Sequence, residues 1–365
     1  MPTADELLGR EQAAALHRGL AQASGTPLPT LARAVEQLEG QALAARAKEL
    51  ARAALADLPP GAPAIAAVRA AAADPDFAGW LIWPAGLVAA QAALAAGRGR
   101  NFDDAMDVLG LLTPRNTSEF SIRPLLAADH SRALAIMREW TTHENFHVRR
   151  LASEGARPYL PWGQRIPALV RDPLLTLPIL DALRDDPEDF VRRSVANHLN
   201  DHSREHGAWV LQTAARWAGE GGAHHAWVVK HSLRTLVKRG DPGALALLGF
   251  ERVPVQVTGP VLDAAVVPFG GAVTLGATVR NTGRASARLA IDFALLLPGS
   301  RGEQRRKVFK WATPTLEPGQ SLELSKRYSF KPISTRRYYP GTHGFEVLVN
   351  GESFGPTGFE VLPPR

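Results

Sequence analysis

The sequence predicts a multidomain chain of α and β class, a HEAT-like α-solenoid followed by an immunoglobulin-like β-sandwich. Three observations carry this. First, a basic helical pattern recurs: VRR begins at Val148 and again at Val191, 43 residues later, and a weaker echo, VVKHSLRTLVKRG, begins at Val228. Lys230 and His231 stand there where Arg192 and Arg193 stood. A period of roughly 40 residues marks a solenoid, whose helix pairs bury their apolar faces only against neighbouring pairs. Second, the spacing changes after Phe250 to short alternating stretches separated by turns. Third, 365 residues favour two domains over one. The expected domains are 1–250, helical, and 256–365, a sandwich.

Composition narrows the possibilities. The chain is 45% hydrophobic, ample for a packed core, and has no cysteine. Disulfides and thiolate metal sites are therefore excluded, which fits a reducing compartment. No charged-then-apolar signal segment opens the sequence, so a cytoplasmic location is expected, on the bacterial nucleoid when in use. The formal net charge is +6, and Gln256 to Arg365 hold 14 Lys+Arg against 8 Asp+Glu. Met1 to Val255 hold 28 of each, so the C-terminal segment carries the whole excess. Basic patches speed encounters with polyanions and make binding salt-sensitive.

In chain order, alanine-rich helices are expected at Asp5 to Ala23, Thr30 to Leu55 and Pro63 to Ala72, with a break at Pro59-Pro60-Gly61. Phe77 to Gly97 lacks charge, but alanine, Pro84 and Gln91 keep it weakly hydrophobic, so it reads as a buried solenoid helix and not a membrane span. Asn101 to Leu112 is a further helix, stopped near Pro114. Asp172-Pro173, Asp186-Pro187 and Asp241-Pro242 each read as an N-cap followed by the first helical position. Beyond a linker at Gly249 to Val257, strands are expected around Val273 to Val279, Leu289 to Leu295, Leu322 to Phe330 and Phe345 to Val349, about seven in all. Asn350-Gly351 is a hairpin turn, because both residues tolerate positive φ. Arg305, Arg306, Lys307 and Lys310 form one basic cluster there. Lys326, Arg327, Lys331, Arg336 and Arg337 form another, with tyrosines between.

The densest chemistry lies in FHVRRLASEGARPYLPW, Phe146 to Trp162. Val148, Leu151, Ala152 and Gly155 fall on one apolar face at helical spacing. Arg149, Arg150, Ser153, Glu154 and Arg157 fall on the other, and Arg150 can reach Glu154 four residues on. Pro158 ends the helix near Arg157. An arginine-rich face with a carboxylate inside it and a large aromatic beside it suits an anionic polymer.

These residues resemble a known family. TSEFSIRPLL (Thr117 to Leu126), HVRRLASEGARPYLPW (His147 to Trp162) and EDFVRRSVANHLNDHSREH (Glu188 to His206) are similar to the AlkC branch of the AlkD-like, HEAT-repeat DNA glycosylases. One subgroup of that branch carries a C-terminal immunoglobulin-like domain. The resemblance implies excision of 3-methyladenine and 3-methylcytosine from duplex DNA, without a cofactor or metal, by a monofunctional and monomeric enzyme, with the lesion still stacked. It places Glu119, Glu154, Trp162 and Asp201 in the active site. Arg149, Arg150, Arg192 and Arg193 match helix-borne residues facing DNA. Arg157, Lys230, Arg305, Arg306, Lys307, Arg336 and Arg337 complete the expected DNA-binding set, the last five on a β-domain that grips the duplex from another side. No membrane partner is expected.

The chemistry stands without the family. An N3-methylated adenine or cytosine is cationic and already a good leaving group. Breaking its glycosidic bond produces an oxocarbenium-like transition state. Carboxylates beside C1′ stabilise that cation and hold water, a tryptophan face attracts it, and arginines pair with phosphates.

Each residue also has a bland role. Glu119 can be an acid in a capped turn, Asp201 a helix-end residue, Glu154 a partner of Arg150 alone, and Trp162 core. His202 and His206, four apart, have zinc-ligand spacing, but no HExxH or thiolate accompanies them. A non-catalytic DNA-binding scaffold and a protein adaptor docking through the β-domain are the alternative functions. The first is distinguished by whether Glu119 and Asp201 come together.

Overall fold

The structure is a computed structural model that describes residues 2–97, 99–332 and 337–364. Its helical part runs α1 (Ala4–Leu8), α2 (Arg10–Ser24), α3 (Pro29–Val35), α4 (Leu43–Asp57), α5 (Ala62–Ala71), α6 (Ile82–Ala95), α7 (Arg100–Leu112), α8 (Arg123–Ala128) and α9 (His130–Glu139). It continues through α10 (Phe146–Glu154), α11 (Pro167–Arg171), α12 (Leu177–Leu183), α13 (Asp189–His202), α14 (Gly207–Glu220), α15 (His225–Ser232), α16 (Arg234–Arg239) and α17 (Pro242–Leu247). Strands follow. The predicted fold class, helical region then immunoglobulin-like domain, is the one observed. The chain forms two compact units, Met1–His206 with Arg216–Ser232, and Gly207–Ala215 with Leu233–Arg365. The units therefore do not divide where helix gives way to strand, since α16 and α17 cluster with the sandwich.

Local chemistry explains the helix ends. Thr3 and Glu6 close a reciprocal capping box on α1. Asn145 caps α10 by accepting from the His147 amide at 2.9 Å. Asp241 caps α17 with Pro242 behind it, as the sequence predicts. Asp186 departs from that pattern: α13 starts at Asp189, and the Asp186 carboxylate instead accepts the Glu188 amide and pairs with Arg149. The single helix expected over Thr30 to Leu55 is two, because the chain turns between α3 and α4 through Gly40 at φ 73°. Helix α6 is buried on every side from Ile82 to Ala90 and packs against α4, α5 and α7. Among the described residues no helix is long and apolar enough to cross a membrane.

The repeat has a physical cause. Arg149 Nη1 donates to the carbonyls of Glu144 and His143, five and six residues back, each at 2.9 Å. Arg192 Nη1 does the same to Pro187 and Asp186, at 2.7 and 2.6 Å. Each arginine thus ties its helix to the preceding turn. Asp186 accepts Arg149 Nε and Nη2 at 2.7 and 3.1 Å, joining one repeat to the next. Helices α10, α13 and α15 then pack in succession.

In the second unit, a three-stranded sheet of β1 (Val255–Leu262), β3 (Ala272–Asn281) and β8 (Ser321–Ser329) accompanies a five-stranded one. The latter has the order β2 (Val266–Val267), β10 (Glu352–Val361), β9 (Gly341–Val349), β5 (Ile291–Pro298) and β6 (Gln304–Ala312). Strands β4 (Ala287–Arg288) and β7 (Thr315–Leu316) pair alone. Val273, Leu275, Phe293, Leu295 and Phe345 share one core cluster, as their alternation predicts. Asn350 and Gly351, at φ 46° and 82°, join β9 to β10 as a two-residue hairpin. The expected linker ends early, because β1 already begins at Val255.

Candidate active site

Five charged side chains of the first unit form one unbroken series, Glu119, Arg150, Glu154, Arg157 and Asp201, each only 7–14% exposed. Arg150 Nη1 lies 2.5 Å from Glu119 Oε2, and Arg150 Nη2 lies 3.6 Å from Glu154 Oε1. Arg157 Nη1 donates to the same Glu154 oxygen at 2.6 Å. Arg157 Nε and Nη2 donate to the two oxygens of Asp201 at 2.9 and 3.2 Å, a bidentate fork. Two residues 82 positions apart, Glu119 and Asp201, are thereby linked through three intervening side chains.

Each element sets its residue. Glu119 sits in the turn before α8, where Thr117 Oγ1 donates to its Oε2 at 2.9 Å. Ser118 and Ser121 tie that turn to α7 and α6 by donating to the carbonyls of Leu109 and Trp83, at 2.8 and 2.9 Å. Gly86 lets α6 approach so closely: a Cβ there would stand 2.7 Å from Ser121 Cβ. Glu154 ends α10, and Asp201 lies in the last turn of α13. His198, fully buried on α13, donates from Nδ1 to the Ser153 carbonyl at 2.9 Å, joining the two helices beside both carboxylates.

Arg123 lies wholly buried behind this series. Its Nε donates to the Gln164 carbonyl at 2.6 Å, and its Nη1 to those of Gly155 and Arg157 at 2.8 Å each. One guanidinium therefore pins both ends of the segment that carries Trp162. Burial pulls Arg123 down to about 10, still well above neutrality, so it remains a cation.

Burial pushes the Asp201 carboxyl above its ordinary value, and the Arg157 fork opposes part of that rise. Burial likewise opposes the Arg157 charge, but Glu154 and Asp201 outweigh it and hold Arg157 above its ordinary value. Glu119 Oε1 and Glu154 Oε2 take no hydrogen bond from the described residues and stay available as acceptors. His198 is pushed well below its ordinary value, and His202 down to about 4, both chiefly by desolvation. His198, His202 and His206 run as a ladder of rings, 5.6 and 5.9 Å apart. Among the described residues no group of three or more His, Asp and Glu side chains is arranged to hold a metal ion.

Trp162 is not core: it is 67% exposed and adopts φ 63°, a left-handed conformation costly for a bulky residue. Its ring lies 6.5 Å from Phe120, which stacks on Trp83 at 4.3 Å. These three rings line a cavity of about 610 Å³ together with Lys48, Arg52 and Gln164. The alanine-rich sequences of α4 and α6 read as packing, yet both helices line this cavity. Lys48 and Arg52, four apart on α4, are the signal that was available.

The expected DNA-binding residues divide. Arg149 is engaged inside the fold by backbone carbonyls and Asp186, and Arg192 Nη1 donates to two backbone carbonyls. Arg157 is likewise buried between two carboxylates and presents no fork to a phosphate. Arg150 is mostly covered, with its guanidinium over the Phe190 ring at 4.6 Å. Arg193 is exposed and pairs with Asp189, and Lys230 is exposed. In the second unit, Arg305 pairs with Glu303 and Arg306 with Glu346. Arg306 and Lys307 border a cavity of about 580 Å³ with Lys238 and Arg239 of α16. Both lie on β6, at the edge of its sheet, where charge also blocks unwanted strand pairing. Arg337 is exposed before β9. Arg336 lies outside the described residues.

A family model described as DNA alkylation repair enzyme matches residues 117–235. A second, described as the C-terminal Ig-like domain of the uncharacterised protein YhaZ, matches residues 256–363. The uncharacterized protein YhaZ of Bacillus subtilis (strain 168) is 37% identical over 262 residues, 72% of this chain and 72% of its own length. The solved structure of Pseudomonas fluorescens alkylpurine DNA glycosylase AlkC, bound to DNA containing an abasic site analog, is similar at a TM-score of 0.84 and 32% identity, over 99% of this chain and 100% of that one. The first family match spans the whole charged series, from Glu119 to Asp201. The chain belongs to the AlkC-type branch of the DNA alkylation repair enzymes, the subgroup that ends in an immunoglobulin-like domain.

Proposed function

We propose that this protein is a monofunctional, metal-independent DNA glycosylase that releases 3-methylcytosine and 3-methyladenine from duplex DNA. The observation that carries the proposal is the buried series from Glu119 to Asp201, which holds three carboxylates in one place on arginine partners. Burying carboxylates is costly unless they are paired. A scaffold gains nothing from three of them, whereas a cationic transition state does.

The chemistry follows from the lesion. The C1′–N bond breaks and its electron pair moves to the base, cancelling the positive charge of the methylated ring. The sugar becomes oxocarbenium-like. Asp201, fixed by the Arg157 fork, stabilises that cation. The free oxygens of Glu119 and Glu154 accept hydrogen bonds from the water that adds to C1′, and its proton passes to a carboxylate and on to solvent. Trp162 offers its exposed face to the cationic sugar or base. Domain 1–250 would do this chemistry while 256–365 supplies further phosphate contacts through Arg305, Arg306, Lys307, Arg336 and Arg337.

Asp201→Asn is the direct test. It keeps the shape and leaves DNA binding intact, while base release falls by at least about a hundredfold, the scale of losing one preorganised electrostatic group. Wild-type release rates in that variant remove Asp201 from the mechanism.

A further inference from the structure

Helices α10, α13 and α15 share a surface pattern that starts at Arg150 of the charged series and runs beyond it. Each has a ring in its first turn and a cation three residues on: His147 and Arg150, Phe190 and Arg193, Trp227 and Lys230. Residues three apart lie on one helix face. Contacts join the three faces. His147 meets the edge of Phe190 with centroids 6.1 Å apart, and Arg150 covers the Phe190 ring. His231 stacks on Trp227 at 4.8 Å with planes 8° apart, and its Nε2 lies 3.1 Å from Asn197 Oδ1, one turn past Arg193. The strip is thus continuous from Arg150, beside the carboxylates, to Trp227.

Its rings are open to solvent, Phe190 at 43% and Trp227 at 39%. Large apolar side chains lined up at one surface mark a binding face. Two of its cations, Arg193 and Lys230, are exposed as well. The partner of Arg193, Asp189, is itself exposed, so that pair is weak and yields to a phosphate. No ion pair among the described residues engages Lys230.

We propose that this strip is a track for one strand of DNA, in which Phe190 and Trp227 pack on deoxyribose while Arg193 and Lys230 hold phosphates. The proposal rests on the DNA reading above and adds an apolar component to it. Phosphates alone require no rings; the sugars are the apolar part of the same backbone. Helix axes pack about 8–10 Å apart and a strand rises about 3.4 Å per nucleotide, so one ring meets the strand every two to three nucleotides.

The two components separate by salt. Cations release counterions and set the slope of log K against log salt, whereas rings shift affinity without changing that slope. The experiment measures full-length protein binding a labelled duplex with an uncleavable abasic-site analogue, from about 50 to 200 mM salt. Trp227→Ala and Phe190→Ala are each expected to weaken binding about tenfold at every salt concentration, giving lines parallel to wild type. Lys230→Ala is expected to flatten the slope by about one. Trp227→Phe, which keeps a ring, recovers most of the affinity, and its DNA-dependent change in emission is smaller than that of wild type, Trp162 supplying the rest. Unchanged affinity in both ring variants overturns the track, as does an identical DNA-dependent emission change in wild type and Trp227→Phe. Wild-type protein that binds this duplex but releases no methylated base leaves the track standing and removes the glycosylase reading alone.

Discussion

Arg157 is the residue whose loss is easiest to quantify. Arg157→Met removes the guanidinium joining Glu154 to Asp201 and keeps a long apolar stem. Three hydrogen bonds of 2.6–3.2 Å disappear from two buried carboxylates, of which Asp201 loses its fork and Glu154 keeps only Arg150, 3.6 Å away. One of them then takes up a proton at neutral pH. At about 1.4 kcal/mol per pH unit, protonating a carboxyl of ordinary value 3.8 at pH 7 costs about 4 kcal/mol. That agrees with the roughly 3–5 kcal/mol lost on breaking a buried pair. The sign follows from linkage. A carboxyl raised in the folded state destabilises it fully above the folded value, and the penalty vanishes as pH falls towards 3.8. The gap between wild type and variant is therefore at most about 4 kcal/mol at pH 7 and at most about 2 kcal/mol at pH 5, because the Asp201 carboxyl is already raised in the wild type. Urea denaturation of both proteins at the two pH values measures it. A gap of the same size at both would refute the view that Arg157 holds two ionised carboxylates.

Acid should weaken the wild-type fold through His202, which is held neutral down to about 4 against an ordinary 6.5. The unfolded chain takes the proton first, so stability falls as pH drops through that window by about 3 kcal/mol on account of His202, and His202→Gln makes the urea-midpoint profile shallower there while buried His198 keeps the remaining slope. Arg149→Ala and Arg192→Ala should each cost about 1–3 kcal/mol in stability, because carbonyls lose their donors, yet leave the salt slope of DNA binding at its wild-type value; a flattened slope returns them to the DNA interface. Arg123→Lys keeps the charge but cannot span the carbonyls of Gly155, Arg157 and Gln164. Hydrogen exchange over residues 158–164 should accelerate in that variant, and unchanged protection shows that the segment is fixed by other contacts.

Much of the architecture was legible because it is written in local chemistry. Asn350-Gly351 specifies a hairpin by backbone freedom alone, and the alternation in Val273 to Val279 specifies a strand by burial alone. The VRR period is equally visible, but which of its arginines turn inward is not. Periodicity separates an apolar face from a polar one and then assigns the polar face to solvent or ligand. In a solenoid each helix is covered on several sides, so Arg149 and Arg192 spend their charge on turns and Arg157 lies between carboxylates. Arg193, one residue beyond Arg192, points out. That distinction depends on packing between repeats, which no window of sequence contains. Trp162 shows the reverse: aromatics after proline usually pack inward, yet this one is exposed, because Arg123 fixes the backbone around it from a distant part of the chain. The contribution of α4 and α6 was hidden for a simpler reason, since alanine-rich helices read as packing and the cavity beside Trp162 forms only when they meet the turn at Glu119. Asp186 reads as a cap in sequence but serves two repeats, because the carboxylate that satisfies one amide also reaches Arg149.

The most direct measurement is base release from two duplexes, one with a single 3-methylcytosine and one with a single 3-methyladenine, with and without chelator. A metal-independent glycosylase with this charged site releases both bases at rates indifferent to chelator. Tight, salt-dependent binding with no release of either base would contradict the catalytic role given to Glu119, Glu154, Trp162 and Asp201, and would leave a DNA-binding scaffold.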